Sequence, residues 1–190
     1  MKVRESGMPD QALWESHFDV ELILDALGLT GVTGNVLEFG CGYGTFTLPA
    51  ARRTSGTVFA LDIDPAMTAA TKERAAAAGI ENVVVLTRDF LADGTGLPDG
   101  DADYAMLFNI VHHTAPDSLL REVHRGLSPG GRAGVIHWSR DRETPRGPPM
   151  RMRPGAEQVA AWAAAAGFAA LGGPVALPPW HWGLRLRRQG

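Results

Sequence analysis

A turn with three glycines is the part of this sequence whose residue types best suit ligand binding. Gly40, Gly42 and Gly44 follow the apolar run NVLEF of residues 35–39, and a helix-forming segment begins at Thr45. Glycine has no Cβ atom, so backbone N–H groups in a strand-to-helix turn approach a nucleotide-like ligand closely. The alternative is a tight connection that only packs the strand against the helix.

Two acidic residues follow the next apolar strand at a spacing that suits a bound nucleoside. Asp62 lies 22 residues after Gly40, where a carboxylate accepts hydrogen bonds from both ribose hydroxyls. Asp64 precedes Pro65 and suits the cap of the following helix, which is the alternative role for Asp62. We assign the ribose to Asp62 and the cap to Asp64.

The glycine spacing disfavours a dinucleotide ligand. The pattern G-x-G-x-x-G of dinucleotide sites requires its third glycine at position 45, where the sequence has Thr45 directly after Gly44. Tyr43 and Tyr104 also lack a lysine four residues later, which removes one common hydride-transfer pair. A nicotinamide-dependent oxidoreductase is therefore the less favoured alternative.

Length and composition exclude several classes of protein. A chain of 190 residues is long enough to bury one core, so we expect a single domain over residues 1–190. Cys41 is the sole cysteine, which rules out an intrachain disulfide and a cysteine-rich zinc cluster, and we expect no metal. The first residues lack the apolar run of a signal peptide, and no later run approaches ~18 apolar residues. The sequence predicts a cytoplasmic protein that does not cross a membrane.

Charge is distributed unevenly although the net charge is only -3. Acidic residues outnumber basic ones up to Leu120, and the reverse holds from Arg121 onward. The overall balance lacks the basic excess with interleaved aromatic residues that is typical of a nucleic-acid surface, so we expect no nucleic-acid partner. A long Pro-rich loop carries five arginines that either clamp an anionic group of an acceptor or form a solvated charge run. They are Arg140, Arg142, Arg146, Arg151 and Arg153.

Apolar runs alternate with helical patterns along the chain, which predicts repeated strand-helix units in a parallel sheet. The strands are predicted at residues 35–39, 56–63, 83–86, 103–108 and 132–137, with two short candidates at 168–176 and 182–186. The helices are predicted at residues 14–29, 45–53, 65–78, 116–127, with Thr114 as N-cap, and 155–166.

Four motifs together resemble the class I S-adenosylmethionine-dependent methyltransferases. They are VLEFGCGYG from Val36, ALDIDPAM from Ala60, TRDF from Thr87 and LSPGGR from Leu127. They follow one another in the family's order, and they are most similar to small-molecule enzymes related to the quinone-biosynthesis methyltransferases. The resemblance implies a Rossmann-like three-layer α/β/α sandwich, with a mostly parallel seven-stranded sheet and an antiparallel last strand. It divides the chain into an N-terminal helical segment or lid (1–33), a cofactor-binding core (34–138) and a loop, helix and terminal strands (139–190).

The resemblance also implies S-adenosylmethionine as the cofactor and assigns roles to residues of the core. Glu38 and the backbone of residues 40–44 would hold the methionine moiety, Asp62 the ribose, and Asp89 the adenine amino group. Cys41, beside helix N–H groups expected to lower its pKa, is a small filler of that turn. Asn109 would contact the cofactor or cap the next helix. The adenine pocket, or alternatively ordinary core, would contain Ile63, Met67 and Phe90.

Methyl transfer needs little chemical activation by the protein, because a sulfonium methyl group is already electrophilic. The chain must align a nucleophile and exclude water, and an acceptor that loses a proton needs a base. His112 and His113 follow the fourth strand at the ligand-binding edge of the sheet, where each is either a base or a hydrogen-bonded structural residue. Trp138 on the same edge either forms an aromatic wall for an acceptor or covers the sheet.

The sequence therefore predicts methyl transfer to a small-molecule acceptor by a monomer or a homodimer. The alternative is a non-catalytic S-adenosylmethionine-binding or regulatory protein on the same fold.

Overall fold

A central sheet with helices on both faces forms the framework of the chain, for which the computed structural model describes residues 8–112 and 115–190. The strands are β1 Val36–Phe39, β2 Val58–Asp62, β3 Val83–Thr87, β4 Ala102–Phe108, β5 Leu127–Trp138, β6 Phe168–Ala170, β7 Val175–Leu177 and β8 His181–Arg188. The helices are α1 Gln11–Glu15, α2 Val20–Ala26, α3 Thr47–Ala51, α4 Pro65–Ala77, α5 Pro116–Gly126 and α6 Ala156–Ala165, with a 3₁₀ turn at Met150–Met152. None of the helices in these described ranges is both long and apolar enough to cross a membrane.

The sheet confirms the predicted topology. Its strand order is β3-β2-β1-β4-β5-β8-β6, with β1 to β5 parallel and β8 antiparallel to β5. Strands β6 and β7 pair with opposite halves of β8, so these two short strands share one edge position. The eight strands therefore occupy the seven positions of a mostly parallel sheet with one antiparallel strand.

The sheet is buried on both faces, as parallel sheets require. Every residue of β1 is buried, and β4 is buried except at Asp103. Leu37 and Leu107 belong to the core on one face, whereas Val36 and Met106 belong to the core on the other. The successive side chains of a strand point to opposite faces, so β1 and β4 join the two cores into a three-layer sandwich.

The strand order changes direction between β1 and β4, which creates a crevice at the carboxyl edge of the sheet. From β1 the chain builds toward β2 and β3 on one side, and toward β4 and β5 on the other. Ligands of open α/β sheets bind at such a point. The glycine turn that follows Phe39 and the residue Asn109 that follows β4 lie on its two sides.

The predicted leading helix of residues 14–29 is instead two helices. Asp19 accepts a hydrogen bond from the backbone N–H of Leu22 at 3.1 Å and so begins α2. His17 and Phe18, in the break, pack against Trp138 with ring centroids 5.5 and 6.3 Å away. A continuous helix would point these rings elsewhere, so their packing on the sheet outweighs the helical periodicity.

Other element boundaries also differ from the sequence prediction, and the strand predicted at 168–176 is two strands, β6 and β7. Strand β5 begins at Leu127 rather than at residue 132, because Leu127 already pairs with Ala102 before an irregularity in the ladder. Thr114, the predicted cap of α5, lies outside the described residues. The N-cap position is occupied by Ala115, which makes no side-chain capping bond.

Tyr104→Phe tests the attachment of α2 to the sheet. The fully buried Tyr104 hydroxyl donates to the carbonyl of Leu27 at 2.9 Å. Removal of the hydroxyl leaves this buried carbonyl without its donor. We expect the free energy of unfolding in urea to fall by about 1–2 kcal/mol. Tyr43→Phe is the matched control, because the half-buried Tyr43 hydroxyl bonds to Pro9 at 2.8 Å where water can replace it. Equal losses for both variants would contradict this view of α2.

Candidate functional site

The glycine turn has a backbone that other residues tolerate poorly. Gly40, Gly42 and Gly44 have φ angles of +80°, +54° and +74°, in the left-handed region where a Cβ atom is strained. A Cβ atom on Gly44 would lie 2.8 Å from Leu48, and one on Gly42 would lie 3.1 Å from Met8. The turn therefore needs glycine for its conformation and for the space around it.

The amide hydrogens of this turn mostly point into the protein. The N–H groups of Gly40 and Cys41 donate to the carbonyl of Leu61 at 2.8 and 2.9 Å, and that of Gly42 donates to Asp62 at 2.9 Å. In this structure these three N–H groups are therefore bonded to the protein itself. Side chains of Ile110, Met8 and Leu48 lie close to the three glycines, so the turn needs residues without a Cβ atom.

Asp62 ties the glycine turn to the end of β2. Its two carboxylate oxygens accept one backbone N–H each, from Gly42 and from Asp64 at 3.0 Å. Burial of the side chain raises the pKa of Asp62 above its usual range. Asp64 caps α4 through the N–H of Ala66 at 2.8 Å, as the sequence predicts.

Glu38 is a second buried carboxyl group next to the turn. Only 2% of the residue is exposed, and the Thr47 hydroxyl donates to it. Burial raises the pKa of Glu38 to about 8; the Thr47 bond opposes this rise and the nearby charge of Asp62 adds to it. In the described part of the chain, neither carboxylate forms an ion pair. A cationic group of a ligand would therefore be favoured here.

Cys41 is a buried filler rather than a reactive thiol. Its sulfur accepts a weak hydrogen bond from the Thr71 hydroxyl at 3.7 Å, and the residue is buried. Burial raises the pKa of the Cys41 thiol. The nearby charges of Glu38 and Asp62 add to this rise of the Cys41 pKa, which is opposite to the lowering expected from helix N–H groups; the helix α3 begins only at Thr47.

The residues expected around an adenine ring lie at the adjacent ends of β2 and β3. Asp62 pairs in register with Thr87, two residues before Asp89, whose side chain accepts the N–H groups of Leu91 and Ala92 at 3.1 Å. The other three expected residues differ in exposure. Ile63 is half-buried, Met67 is buried, and Phe90 packs edge-on against Phe39 with ring centroids 5.2 Å apart.

Asn109 and Ile110 form the opposite wall of the crevice. Asn109 has a φ of +58°, and its side-chain nitrogen lies 3.4 Å from Nε2 of His181. Its buried carbonyl oxygen Oδ1 has no hydrogen-bond partner among the described residues. A Cβ atom on Gly40 would lie 3.2 Å from Ile110. The end of β4 therefore closes on the glycine turn and presents an unsatisfied acceptor.

Of the two predicted histidines, the structure describes only His112. His112 is half-buried, and its Nδ1 lies 3.2 Å from Nε2 of His137. His113 lies outside the described residues. The fifth strand predicted at residues 132–137 ends at His137, and a histidine at the end of the neighbouring parallel strand was a signal that the two side chains meet.

Trp138 covers the end of the sheet and does not line an open pocket. It is only 1% exposed, and its ring centroid lies 4.2 Å from that of His181 and 5.5 Å from that of His17. A Cβ atom on Gly147 would lie 2.8 Å from the indole. The N-terminal helices and the Pro-rich loop thus close over Trp138, which excludes the aromatic-wall alternative.

One arginine of the Pro-rich loop has a structural role. Arg153 is buried and donates to the carbonyls of Pro148, Ser139 and Arg146 at 2.8, 2.7 and 3.1 Å. It therefore holds the loop closed and is not part of an anion clamp. The other four arginines, Arg140, Arg142, Arg146 and Arg151, are exposed.

The N-terminal segment is fastened over the glycine turn by contacts that sequence reasoning missed. Glu15 of α1 pairs with Arg74 of α4 at 2.8 Å, and Arg74 also donates to the carbonyl of Tyr43. The Tyr43 hydroxyl in turn bonds to Pro9. No local sequence pattern predicts an ion pair between residues this far apart in the sequence.

Comparison with known proteins identifies the family. A family model described as a methyltransferase domain matches residues 36–131, the stretch from β1 into β5. The chain belongs to this methyltransferase family. A solved S-adenosylmethionine-dependent methyltransferase from Aquifex aeolicus is 25% identical, superposes with a TM-score of 0.81, and is matched over 94% of this chain and 93% of its own. The predicted class of enzyme, Rossmann-like fold and cofactor are therefore confirmed.

Curated relatives match this chain over a smaller share of its length. A ribosomal protein L11 methyltransferase from Vibrio cholerae is 35% identical over 59% of this chain and 35% of its own length. A ubiquinone/menaquinone biosynthesis C-methyltransferase from Hydrogenovibrio crunogenus is 31% identical over 67% of this chain and 49% of its own. The chain thus spans between a third and a half of these relatives.

The residues present fit S-adenosylmethionine. Two buried carboxyl groups, Glu38 and Asp62, suit a ligand with an ammonium group and a ribose. A Cβ atom at Gly40 or Gly42 would crowd the crevice, and the unsatisfied oxygen of Asn109 suits a donor on the same ligand.

Asp62→Ala and Asp64→Ala separate the site from the helix cap. Asp62→Ala removes the carboxylate assigned to the ribose and loosens the turn, so we expect S-adenosylmethionine affinity to fall ~10-fold or more in calorimetry. Asp64→Ala removes only a cap, so we expect about 1 kcal/mol of lost stability and unchanged affinity. Affinity that survives in Asp62→Ala, or falls equally in both, would refute the assignment of Asp62.

Proposed function

We propose that the chain transfers the methyl group of S-adenosylmethionine to a small-molecule acceptor. The observation that carries this proposal is the pair of buried carboxyl groups, Glu38 and Asp62, beside a glycine turn at the point where the strand order reverses. When bound there, the cofactor supplies an electrophilic methyl group. The protein then needs to hold it, aim an acceptor at it and keep water away.

Each end of the cofactor would have its own group of residues. Glu38 and the backbone of residues 40–44, including Cys41, would hold the methionine moiety, and Asp62 the ribose. Asp89 would accept the adenine amino group. The adenine ring would lie among Ile63, Met67 and Phe90. Asn109 would contact the reacting end through its side-chain oxygen, which is buried and has no hydrogen-bond partner among the described residues.

The acceptor would enter between the end of β4 and the covering segments. His112 is half-buried and follows Asn109 by three residues, and we assign it, or the adjacent His113, as the base for an acceptor that loses a proton. Trp138 and the loop held by Arg153 cover the rest of the edge. Such an enclosed edge favours a small acceptor over an extended protein surface, and it excludes water from the transfer.

We further propose that residues 1–190 act as one domain, in which 1–33 covers the site, 34–138 binds the cofactor and 139–190 completes the acceptor side. The contacts of Glu15 and Pro9 with the core support this arrangement.

The alternative acceptor is a protein, because relatives of this chain include methyltransferases named for ribosomal protein L11. The similarity covers 59% of this chain in the first of them, so acceptor recognition can differ in the part of the chain that it does not cover. A non-catalytic cofactor-binding protein is the second alternative.

Transfer from S-adenosylmethionine with a labelled methyl group distinguishes these functions. The protein is incubated separately with an ultrafiltrate of small metabolites and with purified ribosomal protein L11, and Asp62→Ala is the matched control. We expect label in the small-molecule fraction only, and at least a tenfold lower yield with Asp62→Ala because less cofactor binds. Label on L11 would establish the protein acceptor, and cofactor binding without any transfer would favour the regulatory alternative.

A further inference from the structure

Both ring nitrogens of His137 are engaged in the interior of the protein. The side chain is fully buried at the end of β5. Its Nδ1 lies 3.2 Å from the carbonyl oxygen of Trp138, and its Nε2 lies 3.2 Å from Nδ1 of His112. The indole of Trp182 stacks on the ring with centroids 6.2 Å apart. These contacts fix the orientation of His137, so its hydrogen atoms can be deduced.

The carbonyl of Trp138 decides which nitrogen of His137 carries the hydrogen. A carbonyl oxygen only accepts, so Nδ1 of His137 must be the donor. Burial lowers the pKa of His137 to about 3, and the charges of His112, His181 and Arg153 act in the same direction. The ring is therefore neutral at physiological pH, and its Nε2 carries a lone pair.

The lone pair of His137 in turn decides the state of His112. A nitrogen with a lone pair at 3.2 Å requires a donor, so Nδ1 of His112 carries a hydrogen atom. In the neutral side chain, the lone pair of His112 is then on Nε2. The carbonyl of Trp138 thus fixes the tautomer of His137, and His137 in turn determines which nitrogen of His112 carries the lone pair.

We propose that His137 is a positioning residue that holds His112 in its Nδ1–H form, so that Nε2 of His112 takes the proton of an acceptor that must lose one. This inference rests on the proposed methyl transfer and defines its acceptor class. Hydroxyl, N–H and acidified C–H groups belong to this class. Thioethers and tertiary amines, which have no proton to lose, do not.

The proton and electron balance of the step is complete. The acceptor atom forms a bond to the methyl carbon while the bond from that carbon to sulfur breaks, and the electron pair of the broken bond stays on sulfur. The proton of the acceptor passes to Nε2 of His112, and the resulting imidazolium donates from Nδ1 to His137. His137 resists protonation because it is buried, so the proton leaves from His112 to solvent and does not travel further inward.

Nitrogen-15 NMR of histidine-labelled full-length protein reads these tautomers directly, without a known acceptor. The signals are assigned with His112→Gln and His137→Phe. We expect His112 and His137 each to show a protonated Nδ1 and an unprotonated Nε2 near neutral pH. A protonated Nε2 on neutral His112, or on His137, would overturn the proposal.

Two substitutions at position 137 separate positioning from packing. His137→Phe keeps a ring beside Trp182 but has no acceptor, so His112 should shift toward the Nε2–H form that free histidine favours. His137→Gln packs less well but offers an amide oxygen close to the former Nε2, so it should preserve the Nδ1–H form of His112. An unchanged His112 in His137→Phe would also contradict the proposal.

Activity provides an independent readout once a labelled product is in hand. We expect His137→Phe to lower kcat about tenfold or more with little change in KM, and His137→Gln to recover most of it. S-adenosylhomocysteine affinity should be unchanged in both, which shows that they fold. A product with a new sulfonium or quaternary ammonium group would overturn the acceptor class. Failure of the native chain to bind the cofactor would instead refute the proposed function, whereas the tautomers of His112 and His137 could still be measured by NMR.

Discussion

The burial of two carboxyl groups, Glu38 and Asp62, is the physical constraint on which the other features of the site depend. Charges taken out of water are costly unless hydrogen bonds or opposite charges compensate them. The protein supplies the Thr47 hydroxyl to Glu38 and two backbone N–H groups to Asp62. These bonds fix α3 and the glycine turn against β1 and β2. Glu38 still has a raised pKa, so it is mostly protonated near neutral pH in the free protein, and a cationic ligand would favour its ionised form.

The two sides of the sheet contribute differently to the crevice above it. On one face, His17 and Phe18 pack on Trp138 and hold the N-terminal helices over the carboxyl edge. On the other face, His137 is buried beneath His112. The first arrangement shields Trp138 from solvent, and the second fixes the contact between His137 and a half-buried histidine that follows β4. The second depends on the ends of β4 and β5 being neighbours, which their parallel pairing provides.

The succession of strands and helices along the chain could be predicted from the sequence, because the parallel strands are short apolar runs separated by helical patterns. Asp64 was predicted correctly as a cap because proline follows it. The break before Asp19, by contrast, depends on rings that meet Trp138 more than a hundred residues later, and no local pattern contains that information. The partner of Glu38, Thr47, and the partner of His112, His137, are likewise determined by tertiary packing.

The direction of the N–H groups in the glycine turn also could not be predicted from the sequence. Glycines at residues 40–44 predict an open backbone, but only the position of Leu61 and Asp62 shows that the amides of the turn are already satisfied. The site accordingly depends more on the buried acids than on the turn's donors.

Proton release on cofactor binding tests this dependence most directly. S-adenosylhomocysteine, whose ammonium group would meet Glu38, is titrated calorimetrically in phosphate and in Tris, with NADH and Glu38→Gln as controls. Because free Glu38 has a pKa of about 8, a ligand cation that lowers this pKa should release about one proton near neutral pH and raise affinity about tenfold from roughly pH 6 to pH 7. Glu38→Gln should abolish both effects. Affinity that is independent of pH, or binding of NADH in place of S-adenosylhomocysteine, would contradict the account.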